Sequence, residues 1–137
     1  GGANQLLRNN GDNGGFIAVD LDGGNRTTYS VAVGDVDDDG DIDIVVGNYY
    51  FQANQLLRNI GNNGEFNAED LDGGNRYTTS IALGDVDSDG DNDIVVGNSV
   101  GGASQLLRQD GNGTFIAEDL EGAYIGAWSV AVVDWGS

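Results

Sequence analysis

The chain has no cysteine, no histidine, no lysine and no methionine. Without cysteine there is no disulfide, no catalytic thiol and no cysteine metal site, and nothing marks the redox compartment. Without histidine the commonest general base is gone, and with it the Ser-His-Asp triad, so paired carboxylates are the only remaining acid and base candidates. Positive charge is scarce as well. Five arginines stand against 23 acidic residues, for a net charge of −18, which argues against partners such as nucleic acid or an anionic membrane. No apolar run approaches the roughly 18 residues of a membrane span. With Gly1 first and no methionine, the sequence is expected to be a processed product, an excised piece, or one whose beginning lies elsewhere. What remains is enough for one ordinary globular domain: 137 residues, 39% hydrophobic, with β-branched runs to build a core.

The acidic residues are not scattered. Asp35-Val36-Asp37-Asp38-Asp39-Gly40-Asp41-Ile42-Asp43 returns 50 residues later as Asp85-Val86-Asp87-Ser88-Asp89-Gly90-Asp91-Asn92-Asp93. Ca²⁺ takes six to eight hard oxygen donors at about 2.3–2.6 Å and tolerates irregular geometry. Alternating aspartates supply such donors. Asp35, Asp37, Asp39 and Asp43 are expected to offer carboxylates and Asp41 its backbone carbonyl, with Gly40 making the sharp turn that only glycine makes without a Cβ penalty. Asp85, Asp87, Asp89, Asp93, the Asp91 carbonyl and Gly90 repeat the assignment, so two Ca²⁺ sites are expected. An EF-hand is excluded, because it needs a bidentate Glu at position twelve and flanking helices. Position twelve here is Val46 or Val96, and the flanks, Ser30 to Gly34 and Ile44 to Asn48, read as short strands. The loop therefore joins two strands of a hairpin.

The whole chain is periodic. Ala3-Asn4-Gln5-Leu6-Leu7-Arg8 returns at Ala53 to Arg58 and, with Ser104 for Asn, at Ala103 to Arg108, and all five arginines fall at repeat positions: Arg8, Arg58 and Arg108 in one column, Arg26 and Arg76 in another. The first column is expected to supply cross-blade partners for nearby aspartates. A period near 50 residues with several strands per unit indicates a propeller or another stacked array. Each unit reads as four strands: a, Ser30 to Asp35; b, Asp43 to Asn48; c, Asn54 to Asn59; d, around Phe66. The a–b connection is the acidic loop, and c–d is a glycine- and asparagine-rich turn such as Gly61-Asn62-Asn63-Gly64. The fold class is all-β: tandem four-stranded antiparallel blades in a β-propeller-like array. The units are a partial blade of strands c and d at 1–29, full blades at 30–79 and 80–128, and a lone strand a at 129–137.

The run Gly-Asp-Val-Asp-x-Asp-Gly-Asp-x-Asp-Ile-Val-Val-Gly-Asn, with Asn-Gln-Leu-Leu and Phe-x-x before a glycine-rich stretch, resembles the FG-GAP or VCBS repeat of integrin α-chain propellers and many bacterial surface proteins. The resemblance implies that each repeat is a propeller blade. It also implies that calcium sits in the loop between the two inner strands, at Asp35, Asp37, Asp39, Asp41 and Asp43 and at Asp85, Asp87, Asp89, Asp91 and Asp93. The third unit departs from the pattern, since only Asp134 matches the loop before Trp135-Gly136-Ser137.

Incomplete blades at both ends leave edge strands with free amide and carbonyl groups, which template pairing with another chain. A head-to-tail contact of that kind yields a closed ring or a filament. The expected function is a non-catalytic, extracellular or cell-surface calcium-binding structural or adhesion protein, a homo-oligomer or polymer through its edges, with a protein or glycan as ligand. Tyr49, Tyr50 and Phe51, with Tyr124, Trp128 and Trp135, give the alternative of a carbohydrate-binding propeller, although aromatics of this kind more often pack between blades. A glycosidase is the weakest reading, because the clustered aspartates are better explained as metal ligands.

Overall fold

A computed structural model describes residues 2–11, 14–61, 65–100, 102–120 and 126–132. Alternating β-branched and small residues, bounded by Gly, Asn and Asp, give ten strands: β1 (Ala3–Asn9), β2 (Phe16–Asn25), β3 (Thr28–Gly34), β4 (Asp43–Asn48), β5 (Gln55–Asn59), β6 (Phe66–Asp70), β7 (Thr78–Gly84), β8 (Asp93–Asn98), β9 (Gln105–Gln109) and β10 (Phe115–Asp119). There is no helix among the described residues. The strands form two four-stranded sheets, β3-β4-β5-β6 and β7-β8-β9-β10, and one two-stranded sheet, β1-β2. All pairings are antiparallel. Strand a thus starts two residues earlier than the sequence indicates, at Thr28 and Thr78, where a bulge precedes Ser30 and Ser80. The expected turn at 62–64 lies outside the described residues.

The two full sheets stack through their inner strands. The amide of Ile81 in β7 donates to Ser30 Oγ in β3 (3.1 Å). Gly47 makes the approach possible, since a Cβ there would meet Ile81 Cγ1 and Thr78 Cγ2 at 2.9 Å. One buried cluster fills the space between them, made of Val36, Val45, Leu56, Leu71, Ile81, Ile94, Val96, Leu107 and Phe115. On its other side the first full sheet turns Ile44, Val46 and Leu57 toward Leu21 of β2 and its own Phe66 and Ala68. The first full sheet therefore packs one face against the second full sheet and part of the other against β2.

Connectors repeat the same joints. Gly23 O accepts from Gln55 Nε2 and Asp22 Oδ2 from the Ala68 amide; 50 residues on, Gly73 O accepts from Gln105 Nε2 and Asp72 Oδ2 from the Ala117 amide. Arg26 bridges to Asp70 at 3.0 Å and Arg76 to Asp119 at 3.3 Å. The column of Arg26 and Arg76 therefore provides the ion pairs that cross between layers.

The strand expected from Ser129 is corrected in its described part. Residues 129–132 follow the inner-strand path, with the Val130 amide donating to Ser80 Oγ as Ile81 does to Ser30, but they are not paired into a sheet. No strand b lies beside them among the described residues to complete a ladder. Asp134 and Trp135, and Tyr124 likewise, lie outside the described residues.

Candidate metal centres

Each acidic loop closes on its own first aspartate. Asp35 Oδ1 accepts from the Asp39 amide (3.2 Å), Asp35 Oδ2 from the Gly40 amide (2.9 Å), and Asp39 Oδ1 from the Asp41 amide (2.9 Å). The second loop repeats this at Asp85, with 3.1 and 2.8 Å, and at Asp89, with 2.9 Å. The turn requires Gly40 and Gly90, whose φ angles are 91° and 96°. Asp38 and Ser88 also adopt left-handed φ, near 60°, a conformation that a short polar side chain tolerates.

Folded this way, the loops bring carboxylate oxygens of Asp35, Asp37 and Asp39 within 4.8 Å of one another, and those of Asp85, Asp87 and Asp89 likewise. Asp43 and Asp93 are fully buried at the base. Asp43 takes the amides of Val36 (3.0 Å) and Asn59 (2.9 Å), one on each oxygen, and Asp93 takes those of Val86 and Gln109, both at 3.0 Å. These two aspartates pin the loop to the neighbouring strand c, a role that spacing alone does not disclose. Asp41 and Asp91 contribute amides to the loop, and Asp91 reaches across to Asp38 of the other loop.

The electrostatics are those of crowded anions. Burial raises the Asp43 carboxyl above its ordinary range and repulsion from Asp37 and Asp39 adds to this, outweighing its two amide hydrogen bonds. At Asp87 desolvation pushes upward, but hydrogen bonds with Asp89 and Arg108 prevail and the carboxyl is lowered. At Asp89 the Asp91 amide pulls downward, but desolvation and the hydrogen bond to Asp87 leave it raised.

Each triad has one cation of its own. Arg58 Nη1 meets Asp37 Oδ2 at 2.8 Å and its Nη2 meets Glu69 at 2.9 Å; Arg108 meets Asp87 at 2.9 Å and Glu118 at 3.2 Å. The arginine column thus serves its own sheet rather than the neighbouring one, because strand c runs beside the a–b loop of the same sheet. Among the described residues, Arg58 also reaches the next layer, through the Gly113 carbonyl. Asp37 Oδ1 is left buried with no hydrogen-bond partner. A buried acceptor without a donor costs about 1–3 kcal/mol, and a hard cation relieves that cost. The donor set, all oxygen and mostly anionic, fits Ca²⁺.

At the opposite ends of the strands lies an aromatic cluster. Tyr49 stacks on Tyr29 with centroids 4.3 Å apart and meets Tyr77 of the next layer edge-on at 5.1 Å. Tyr50 and Phe51 stand 64% and 61% exposed on consecutive left-handed residues, with φ 53° and 60°.

No helix among the described residues is long and apolar enough to cross a membrane. Among curated proteins, none matches the chain. The FG-GAP-like repeat profile matches residues 35–96 and again 85–137, and each match begins on the first aspartate of an acidic loop. With stacked antiparallel sheets of matching period and most of its length covered by two matches, the chain belongs to the FG-GAP-like repeat family.

Proposed function

We propose that the chain is a calcium-binding, non-catalytic structural or adhesion module that works outside the cell or at its surface, and that associates head to tail with further copies through its open sheet edges. The observation that carries this is the pair of matching triads, Asp35/Asp37/Asp39 and Asp85/Asp87/Asp89. Asp41 and Asp91 would add carbonyls and Asp43 and Asp93 their remaining lone pairs. A bound cation would offset the repulsion among the acidic side chains and stiffen the hairpin. Weak loops of this kind are loaded by millimolar extracellular Ca²⁺. An uncatalytic role is supported by the composition, which lacks histidine and cysteine and commits the clustered carboxylates to loop hydrogen bonds.

The test is particle mass by light scattering after size exclusion, in millimolar Ca²⁺ and then in chelator. A species well above 14.2 kDa that dissociates on chelation supports the reading. A folded monomer under both conditions contradicts the self-association.

A second reading, binding of a neutral carbohydrate, is favoured by Tyr50 and Phe51, whose rings project into solvent at the cost of left-handed backbone. Tyr49, packed between layers, does not support it. A glycan array with no signal removes it.

A further inference from the structure

The two acidic loops are near copies, but they differ at two positions that face a neighbouring sheet. The first loop carries Ile42, and β5 beside it ends on Asn59; the second carries Asn92, and β9 ends on Gln109. Asn59 serves its own sheet, its amide donating to Asp43 Oδ1 (2.9 Å) and its Nδ2 to the Ile42 carbonyl (3.1 Å). Gln109 keeps both contacts, with Asp93 Oδ1 and the Asn92 carbonyl, each at 3.0 Å. Its one extra methylene also brings Nε2 to the Val36 carbonyl of the first loop, at 2.6 Å. Asn92, where Ile42 has no polar group to offer, donates Nδ2 to the Asp35 carbonyl at 3.0 Å.

Asp35, Val36 and Asp37 are therefore each tied to the second full sheet. Asp35 and Val36 are held by their carbonyls. Asp37 is held through Arg58, whose Nη1 meets Asp37 Oδ2 while its Nη2 donates to the Gly113 carbonyl. Gly113 permits this approach, since a Cβ there would stand 2.9 Å from Arg58 Nη1 and 3.2 Å from Asp37 Cβ. Gln109 and Val36 are both buried, so the Val36 carbonyl and its donor meet away from water. The stretch of backbone that carries two carboxylates of the first triad is thus fixed from a different sheet.

We infer that Asn92 and Gln109 are positioning residues of the first metal site, which is built by two sheets: carboxylates from the loop of one, main-chain anchors from the next. The inference rests on the calcium reading above and deepens it. Both amides act through the main chain of Asp35 and Val36 rather than on the ion. A triad of carboxylates holds a cation well only when its oxygens are kept together against their mutual repulsion, and partners that orient metal ligands are commonly worth about 10–100-fold in affinity. The second triad draws no such support from these two side chains. The bonds that Gln109 makes within its own sheet are those that Asn59 makes in the first.

The experiment is calorimetric titration with Ca²⁺ of the intact chain, reading the first site alone in an Asp89→Asn background and the second alone in Asp39→Asn. Gln109→Asn, which installs the residue found at position 59, is expected to weaken the first site about tenfold and to leave the second unchanged. Asn92→Ala, at a half-buried position, gives an independent test in the same direction, and circular dichroism in chelator checks that each variant is folded. Both residues belong to the second loop or the strand beside it, so a merely local effect would fall on the second site. A loss there as large as at the first, or no loss at either, overturns the inference. If the parent binds two ions and the variants bind as their backgrounds do, the positioning role fails and the calcium reading stands; if the parent binds none, both fall.

Discussion

The side chains of Asp38 and Asp91 share a hydrogen bond that bridges the two acidic loops. Two carboxyl groups do this only when one holds a proton. Asp91 is accordingly pushed up to about 6, first by the hydrogen bond with Asp38, then by desolvation and by repulsion from Asp89, Asp38 and Asp85. The pair belongs to one interface alone, because the residue matching Asp38 in the second loop is Ser88. Its folded-state value lies above the ordinary 3.8, so the proton stabilises the fold below that pH, and the gain is lost as pH rises through about 6. In chelator, Asp91→Asn should melt close to the parent near pH 4 and above it at neutral pH. A variant that melts lower than the parent at both pH values would contradict this relationship.

Calcium and protons compete for the same loops. Asp91 is pushed up to about 6, so loading near pH 6 must expel a proton that is already gone at higher pH. Calcium affinity is predicted to fall as pH drops from neutral toward 5. Calorimetry in two buffers of different ionisation enthalpy should show proton release near pH 6 that fades at higher pH.

The packing of the two full sheets depends on a missing side chain. Gly47→Ala would drive a methyl into Ile81 and Thr78, each 2.9 Å from the built Cβ. Overpacking of this kind costs about 1–3 kcal/mol, to be read as a lower denaturation midpoint with unchanged slope.

Two neighbouring aromatics should respond in opposite directions. Tyr49→Ala removes the stack on Tyr29 within its own sheet and the edge-on contact with Tyr77 of the next layer, a loss of about 1–2 kcal/mol. Phe51→Gly relieves a left-handed backbone worth roughly 1 kcal/mol and gives up only a tilted contact with Tyr77, so stability should hold or rise. Urea melts of both variants check the pair of signs.

The strands, the hairpin position of the acidic loops and the family were legible because each is written locally: β-branched runs, a glycine between aspartates, and a repeat of 50 residues. The grouping of Asp35, Asp37 and Asp39 followed from alternation for the same reason. What the sequence did not disclose depends on contacts between distant segments. Asp43 looked like any other loop aspartate, yet burial and the amides of Val36 and Asn59 make it the base of the loop. The arginine column was legible as a column but not in its partners, since Arg58 turns to Asp37 on its own sheet while Arg26 crosses to Asp70. The Asp38–Asp91 pair needed the stacking of two layers before it existed at all.

The central claim is that each triad holds one calcium ion. Calorimetric titration of the metal-stripped chain with Ca²⁺ near neutral pH tests it most directly, alongside Asp39→Asn, Asp89→Asn and the double variant. The account predicts two ions for the parent, one for each single variant and none for the double. At Ca²⁺ a hundredfold above Kd, each filled site should add about 2.7 kcal/mol to stability. An unchanged titration in the double variant, or no heat of binding in the parent at millimolar Ca²⁺, would contradict it.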